Sequence, residues 1–262
     1  MTILDKIIAQ KEVEVKELKI IYEHCKGKEQ KKRPSIYQSF KESNRMNIIA
    51  EVKRASPSKG NINEDVDPIA QAKQYAEAGV SAISVLTDQK FFKGSMSDLL
   101  AVSEAVDVPL LCKDFMIDEI QIDVAKQHGA SIILLIAAAL PEERLKELYA
   151  YAHAEGLDVL FEVHNQEEAE MALRIGAKVI GINNRNLKTF EVDLNTTEEI
   201  ATFLQDQEII LVSESGIKEV EDVKQVQTSG AEAILVGETL MRAENVGATI
   251  DAFRIPLEKT VS

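Results

Sequence analysis

Short apolar runs recur eight times along this chain, and segments with helical spacing separate them. The runs predict β-strands near 48–53, 82–86, 109–113, 132–136, 158–163, 179–183, 209–213 and 233–236. Several runs are almost continuously apolar, as in AISVL at 82–86, which is typical of parallel strands covered on both faces. The helical segments between them end in glycine, for example at Gly79 and Gly176. Eight such units predict an α/β protein with a (β/α)8 TIM barrel.

A doubly wound open sheet would produce the same local pattern, but two observations favour the barrel. One is the strand count, and the other is the lack of a GxGxxG or GxxxxGK[ST] motif after any predicted strand. Before the first strand, Ile3, Leu4, Ile7 and Ile8 recur at helical spacing. We therefore expect a single domain over 1–262, with an extra helical N-terminal extension over 1–45 and the barrel over 46–255.

The charge balance limits the partners of this chain. Its 44 acidic and 30 basic residues leave a net charge of −14, which argues against nucleic acid, since phosphate contacts require clustered Lys and Arg. The N-terminus reaches charged residues at once, and the longest apolar stretch, 132–140, is about half of a membrane span. We expect a cytoplasmic protein that does not bind membranes. Its two cysteines and four histidines lack metal-ligand spacing, so no metal is expected.

Polar residues stand at the exits of most predicted strands, where a barrel places its active site. In the first strand, Glu51 and Lys53 are two positions apart, so their side chains share a face. Burial of these two charges is costly unless they are paired or bind a ligand. The other exits contribute Ser56, Lys113, Glu162, Asn183, Arg185, Ser215, Gly216, Gly237 and Glu238.

Two groups among these exits have a predicted chemical role. Lys113 and Glu162 are the acid–base candidates, because burial and neighbouring charge can move their pKa values toward the working pH; a structural ion pair is the alternative. The loops at Ser215–Gly216 and Gly237–Glu238 follow the last two strands, where barrels often bind phosphate, although ordinary tight turns would have the same composition.

Six segments of the chain, in this order, resemble the indole-3-glycerol phosphate synthase family of tryptophan biosynthesis. They are IAEVKRASPSKG, LLCKDFMID, FEVHN, GINNRNLKTFEVDL, VSESGI and ILVGETLMR. The resemblance covers essentially the whole chain, and KRASPSKG together with INNRNL is highly specific. It implies a carbon–carbon lyase without cofactor or metal. The implied reaction converts 1-(2-carboxyphenylamino)-1-deoxyribulose 5-phosphate to indole-3-glycerol phosphate, CO2 and water.

The resemblance also implies roles for individual residues. Lys113 would be the acid of ring closure, Glu162 the base of dehydration and Lys53 a second acid, and which lysine acts in which step stays open. Glu51 and Asn183 would position the lysines and the hydroxyls, and Arg185 would add positive charge for the anionic substrate. The phosphate would be held by Ser56, Ser215, Gly216, Gly237 and Glu238, and the anthranilate ring by Phe92, Phe115 and Leu187.

Two other functions are compatible with a phosphate-binding barrel. Phosphoribosylanthranilate isomerase or the tryptophan synthase α subunit is one alternative, although the isomerase usually has a Cys/Asp pair where this chain has Glu51 and Lys53. A phosphate-sugar binding or scaffold protein is the other, although a mere binder has no need for buried opposed charges. An unfused chain of this length is compatible with a monomer, which we expect.

Overall fold

Eight parallel strands form a closed barrel in the computed structural model, which describes residues 2–22, 31–56, 60–61, 66–205 and 207–257. Each strand pairs with its neighbours in the chain, and the last pairs with the first. The predicted TIM barrel is confirmed, and the predicted strand boundaries agree to within one residue. The strands are β1 (Asn47–Val52), β2 (Ala82–Leu86), β3 (Leu110–Lys113), β4 (Ile132–Ile136), β5 (Asp158–Val163), β6 (Val179–Asn183), β7 (Ile210–Glu214) and β8 (Ala233–Val236).

Helices alternate with these strands and cover the barrel. They are α1 (Ile3–Tyr22), α2 (Ile36–Glu42), α3 (Pro68–Glu77), α4 (Gln89–Phe92), α5 (Met96–Ala105), α6 (Glu119–Gln127), α7 (Glu142–Ala154), α8 (Gln166–Ile175), α9 (Asn195–Leu204), α10 (Val220–Thr228), α11 (Glu238–Arg242) and α12 (Val246–Phe253). Residues Ala55–Ser56 and Gly60–Asn61 form a two-stranded antiparallel ribbon, and Ala137–Ala139 a 3-10 turn. The predicted helix–glycine–strand pattern is confirmed at Gly176, whose φ of 88° caps α8.

The alternation of side chains along each strand divides the buried apolar residues into two clusters. One cluster packs between the strands and the surrounding helices, and Cys112 lies there, fully buried, with its face turned away from that of Lys113. The other fills the barrel interior, with Ile49 and Leu160 among its members. Ile36 and Phe40 of α2 belong to this interior cluster, so α2 packs on the barrel core.

The N-terminal extension is helical, as predicted, and its two helices make different contacts. Asp158, at the start of β5, accepts a hydrogen bond from the first backbone N–H of α2, at 2.6 Å. In α1, by contrast, Ile3, Leu4 and Ile7 line a cavity that is formed at the other ends of the strands. The two helices of the extension therefore pack near opposite ends of the barrel.

Within the part of the chain that the structure describes, no helix combines the length and the apolar character needed to cross a bilayer.

Candidate active site

A cavity of about 600 Å³ opens at the carboxyl ends of the strands. Thirteen of the predicted site residues line it, which are Glu51, Lys53, Phe92, Lys113, Phe115, Glu162, Asn183, Arg185, Leu187, Ser215, Gly216, Gly237 and Glu238. The side chain of Ser56 lies outside the described part of the structure. The fold thus brings together residues that are nearly 190 positions apart in the chain.

Four charged side chains form one layer of the barrel mouth. Alternate strands contribute the side chains of a single layer in this fold, and here β1, β3, β5 and β7 supply Glu51, Lys113, Glu162 and Glu214. The Lys113 ammonium lies 2.6 Å from Glu214 Oε2 and 3.2 Å from Glu162 Oε2. In an ordinary barrel this layer consists of branched apolar side chains, whereas here it consists of charged ones.

The pKa values of this layer differ from what the sequence predicted. Burial alone would lower the pKa of Lys113, but the charges of Glu214 and Glu162 outweigh it and raise that pKa. Burial would raise the pKa of Glu162, but Lys113, His164 and Asn183 stabilise its carboxylate and lower the pKa instead. The prediction that both pKa values move toward the working pH is therefore wrong, because each group has an opposite charge as its close partner.

Glu214 is the group in the layer that titrates near neutrality, and sequence reasoning did not select it. Burial, together with the nearby charges of Glu162 and Glu51, raises the pKa of Glu214 to about 7 despite the attraction of Lys113. Its Oε1 atom is buried and has no hydrogen-bond partner among the described residues. One feature of the sequence could have identified it. Glu214 is a charged residue at the end of β7, between Ser213 and Ser215 and beside the predicted phosphate loop.

Glu162 is held from two further sides. Asn183, the last residue of β6, donates from Nδ2 to Glu162 Oε1 at 3.0 Å, and its own Oδ1 accepts from Ser215 Oγ at 2.9 Å. His164 Nε2 lies 3.3 Å from Glu162 Oε1, and its Nδ1 lies 3.1 Å from Glu168 Oε2. We infer that Asn183 and His164 orient the Glu162 carboxylate.

The contacts of His164 predict how stability depends on pH. Burial alone would lower the pKa of His164, but Glu162 and Glu168 raise it from 6.5 to about 10. A group whose pKa is higher in the folded state contributes stability below its unfolded pKa and loses it as the pH rises through the folded pKa. His164→Gln should therefore lower the free energy of unfolding by a few kcal/mol near pH 6, at about 1.4 kcal/mol per pKa unit.

This difference between wild type and His164→Gln should shrink steadily between pH 6.5 and 10. Urea unfolding of both proteins at several pH values measures it. The control is His153→Gln on α7, because this side chain is exposed and its ring meets Tyr149, at 4.5 Å between centroids, rather than a carboxylate. It should alter the free energy of unfolding little. A His164→Gln effect that is independent of pH would mean that the imidazole is uncharged in the folded protein.

Lys53 lies directly after β1, and its ammonium is 2.6 Å from Glu51 Oε1. The Glu51 side chain is buried, whereas 22% of the Lys53 side chain is exposed. Glu51 fits beside Gly237, where a Cβ atom would come within 2.5 Å of Glu51 Oε1. The sequence predicts that these two charges share a strand face and are paired or bind a ligand. The structure shows them paired, and the more exposed member is the lysine.

Gly181 in β6 makes equivalent room for Glu214. A Cβ atom there would lie 2.1 Å from Glu214 Oε1, so Gly181→Ala should displace that carboxylate. Because Glu214 is flexible at its end, overpacking should cost only about 1–3 kcal/mol of unfolding free energy. Activity in this cavity should fall by at least about tenfold, since small displacements of side chains in an active site are costly.

Steady-state kinetics and thermal unfolding of Gly181→Ala measure these two effects. Gly247→Ala is the matched control, because a Cβ atom in α12 would meet nothing closer than 3.7 Å. Full activity of Gly181→Ala would show that the exact place of the Glu214 carboxylate is unimportant.

An aromatic wall borders the cavity, formed by Phe92 of α4 and Phe115 after β3. Their ring centroids are 5.9 Å apart, with the ring planes at 35°. Leu187, in the loop after β6, also lines the cavity. The predicted apolar residues therefore share one cavity with the charged layer, as small-molecule sites require.

The loop after β7 is held by a buried asparagine. Asn184 donates from Nδ2 to Ser213 Oγ and to the backbone oxygens of Glu214 and Ser215, at 2.9–3.1 Å. Thr197 in α9 donates to Asn184 Oδ1 through its N–H and hydroxyl. Ser215 has a φ of 65°, which is uncommon for a residue with a Cβ and marks a tightly held turn.

The chain has close relatives along nearly its whole length. The indole-3-glycerol phosphate synthase family model matches residues 4–253. An indole-3-glycerol phosphate synthase of Exiguobacterium sibiricum is 56% identical over 252 residues, which are 96% of each chain. The enzyme of Oceanobacillus iheyensis is 53% identical, and the match covers 98% of both chains. That of Bacillus cereus is 52% identical, and the match covers 94% of this chain and 95% of the relative.

Two similar solved structures support the fold alone, because their sequences are only distantly related to this chain. The family follows from the relatives in sequence. A 3-hexulose-6-phosphate synthase aligns with a TM-score of 0.63 at 19% identity, over 80% of this chain and 98% of its own. A thiamine phosphate pyrophosphorylase of Pyrococcus furiosus aligns with a TM-score of 0.57 at 19% identity, over 79% of this chain and 93% of its own. From its matched length, its identities and its strand-end motifs, the chain belongs to the indole-3-glycerol phosphate synthase family, carboxy-lyases of tryptophan biosynthesis.

Proposed function

We propose that this chain converts 1-(2-carboxyphenylamino)-1-deoxyribulose 5-phosphate to indole-3-glycerol phosphate, with release of CO2 and water, in the cavity described above. The observation that carries the proposal is the ionic layer of Glu51, Lys113, Glu162 and Glu214 beside an aromatic wall. The cavity volume of about 600 Å³ lies in the range of small-molecule sites. Its charges suit a substrate that has an aromatic ring, a ketone and two anionic groups.

Ring closure requires an acid at the ketone. The ring carbon that carries the carboxylate attacks the ketone carbon, and Lys113 gives a proton to the ketone oxygen, which becomes a hydroxyl. The raised pKa of Lys113 keeps its ammonium protonated at neutral pH. Loss of CO2 then leaves its bonding electron pair in the ring and restores aromaticity, so the protein supplies no further group for that step.

Dehydration requires an acid and a base together. The hydroxyl leaves as water with a proton from Lys53, or from Lys113 after solvent has reprotonated it, and a base removes a proton from the neighbouring carbon, so that the double bond of the indole forms. Glu162 is the base that the sequence predicted, and it is ionised because its pKa is lowered. Glu214 is the second candidate, because a pKa of about 7 suits proton transfer in both directions at neutral pH.

Substrate binding is divided between the two sides of the site. The anthranilate ring packs against Phe92, Phe115 and Leu187, and Arg185 adds positive charge for the anionic groups. Arg185 is placed by its own backbone N–H, which donates to Asn183 Oδ1 at 3.0 Å. The phosphate is assigned to the loops that follow β1, β7 and β8, through Ser56, Ser215, Gly216, Gly237 and Glu238.

A fluorescence assay tests the activity directly. The purified protein is mixed with the carboxyphenylamino-deoxyribulose phosphate, and the indole emission is followed with time. Because the chain contains no Trp, a rising indole signal comes from product alone. A flat trace with measurable substrate binding would favour the binding-protein alternative, and no binding would refute the proposal.

We further propose that the chain is a cytoplasmic monomer, folded as a single domain over 1–262 and without a nucleic-acid partner. The net charge of −14 supports the last point, since it disfavours contact with phosphate backbones. Light scattering at micromolar concentration should give the mass of one chain, and a mass of two chains would contradict the monomer.

A further inference from the structure

Lys11 is the buried cation of the N-terminal helix α1. Only 2% of the residue is exposed, although lysine is among the residues that are almost never fully buried unless paired. A buried ammonium is costly without partners of opposite charge, so its surroundings indicate what it does.

Three carboxylates surround Lys11 Nζ. Asp114 Oδ1 lies at 2.7 Å, Asp88 Oδ2 at 2.8 Å and Glu14 Oε2 at 2.9 Å. Asp88 follows β2 and Asp114 follows β3, so a single side chain of α1 joins two neighbouring loops of the barrel. Burial alone would lower the pKa of Lys11, but the charges of Asp114 and Asp88 raise it, so the ammonium stays charged.

Each aspartate in turn holds one ring of the aromatic wall. Asp88 Oδ1 accepts from the Phe91 N–H at 2.6 Å and caps α4, the one-turn helix that carries Phe92. Asp114 Oδ1 accepts from the Phe115 N–H at 2.8 Å. The two backbone hydrogen bonds place the two rings in contact with each other.

We propose that Lys11 is a positioning residue for the aromatic wall and so determines how the substrate ring binds. This inference rests on the proposed function, in which Phe92 and Phe115 contact the anthranilate ring. Lys11 acts through Asp88 and Asp114, whose carboxylates it neutralises and holds in place. Its helix also lines the cavity through Ile3, Leu4 and Ile7, so the extension is part of the ring site.

Lys11→Met tests the proposal, because it keeps the length of the side chain and removes the charge. We expect the KM for the substrate to rise by about 10- to 100-fold, as misplaced positioning groups do, while kcat falls less. Two inhibitors that each resemble one half of the substrate test the ring site and the phosphate site separately. Inhibition by N-methylanthranilate should weaken by a similar factor, whereas inhibition by inorganic phosphate should stay unchanged.

Lys16→Met is the matched control on the same helix. Lys16 is exposed on α1 and forms no ion pair with a described residue. It should leave KM and both inhibition constants as in the wild type. If Lys11→Met does not fold, Asp88→Asn replaces it, because asparagine still caps α4 but no longer attracts the ammonium.

A merely structural role would lower the melting temperature of Lys11→Met and leave the KM and the N-methylanthranilate inhibition unchanged, which would overturn the proposal. Failure of the proposed function is seen separately, as absence of turnover by the wild type. In that case, calorimetric titration with N-methylanthranilate still tests the positioning role of Lys11. Tight binding to the wild type and weaker binding to Lys11→Met supports the positioning role, and equal or absent binding refutes it.

Discussion

Lys113→Ala is expected to lower kcat by at least about 10²-fold, and by up to about 10⁴-fold, which is the usual range for a positioned acid. The substitution removes the proton donor of ring closure and leaves Glu162 and Glu214 as two buried carboxylates without their shared cation. Stability should fall as well, since an uncompensated buried charge costs about 3–5 kcal/mol. Steady-state kinetics by indole fluorescence and urea unfolding measure the two effects.

The activity loss and the stability loss have separate controls. Lys126→Ala removes a lysine of α6 that pairs with Glu155 away from the cavity, and it should leave kcat unchanged. Lys113→Met keeps an apolar side chain of similar length. It tests whether side-chain volume alone recovers the stability that Lys113→Ala loses, without recovering the activity. A kcat close to that of the wild type in either Lys113 variant would overturn the assignment of this residue as the acid.

The second large effect concerns the pH dependence of activity and compares the two carboxylates. Glu214 has a pKa raised to about 7, so the pH profile of kcat/KM should show an apparent pKa near 7 that is absent in Glu214→Gln. Glu162 has a lowered pKa, so Glu162→Gln should keep this inflection. In both variants kcat should fall by at least about 10²-fold, because the substitution removes an ionisable carboxylate. The shape of the side chain is kept, so the loss reports the missing carboxylate rather than a packing change.

The sign of the Glu214 effect on stability is opposite to that of an ordinary paired carboxylate. Its pKa is higher in the folded protein than the usual 4.5, so the folded state binds more protons between pH 4.5 and about 7. The Glu214 contribution to stability is therefore present at low pH and is lost as the pH rises through 7. If the inflection near pH 7 persists in Glu214→Gln and disappears in Glu162→Gln, the two carboxylates exchange the roles proposed here.

Much of the fold was predictable because its signals are local. The run IILLI at 132–136 is apolar at every position, and the structure buries all five residues in β4. Glycine after a helical segment is equally local, since few other residues adopt a left-handed backbone at low cost, and Gly176 does so. Strand boundaries and the helical extension follow from such patterns, and they agree with the structure.

The membership of the site was predictable in part, for a related reason. Polar residues at strand ends are out of place in a core, and Lys113, Glu162 and Asn183 were selected on that ground. The role of Lys11 was not predicted, because nothing beside it in the chain indicates a partner. The partners of His164, Glu162 and Glu168, are close to it in the chain, but only the fold shows that both carboxylates reach its ring. Lys11 meets Asp88 and Asp114 only when α1 packs across two loops that lie about 77 and 103 positions further along.

The sequence by itself determined the barrel, its family and many of the residues that line the cavity. The signals are the apolar pattern of the strands, the glycines after the helices and the motifs at the strand ends, which are all properties of the chain. Only the tertiary structure decided the ionisation of those residues. A pKa depends on burial and on charges within a few ångströms, and those neighbours come from other strands. For that reason Glu162, which the sequence presents as a base near neutrality, has its pKa lowered by Lys113 and His164, while Glu214 titrates near pH 7.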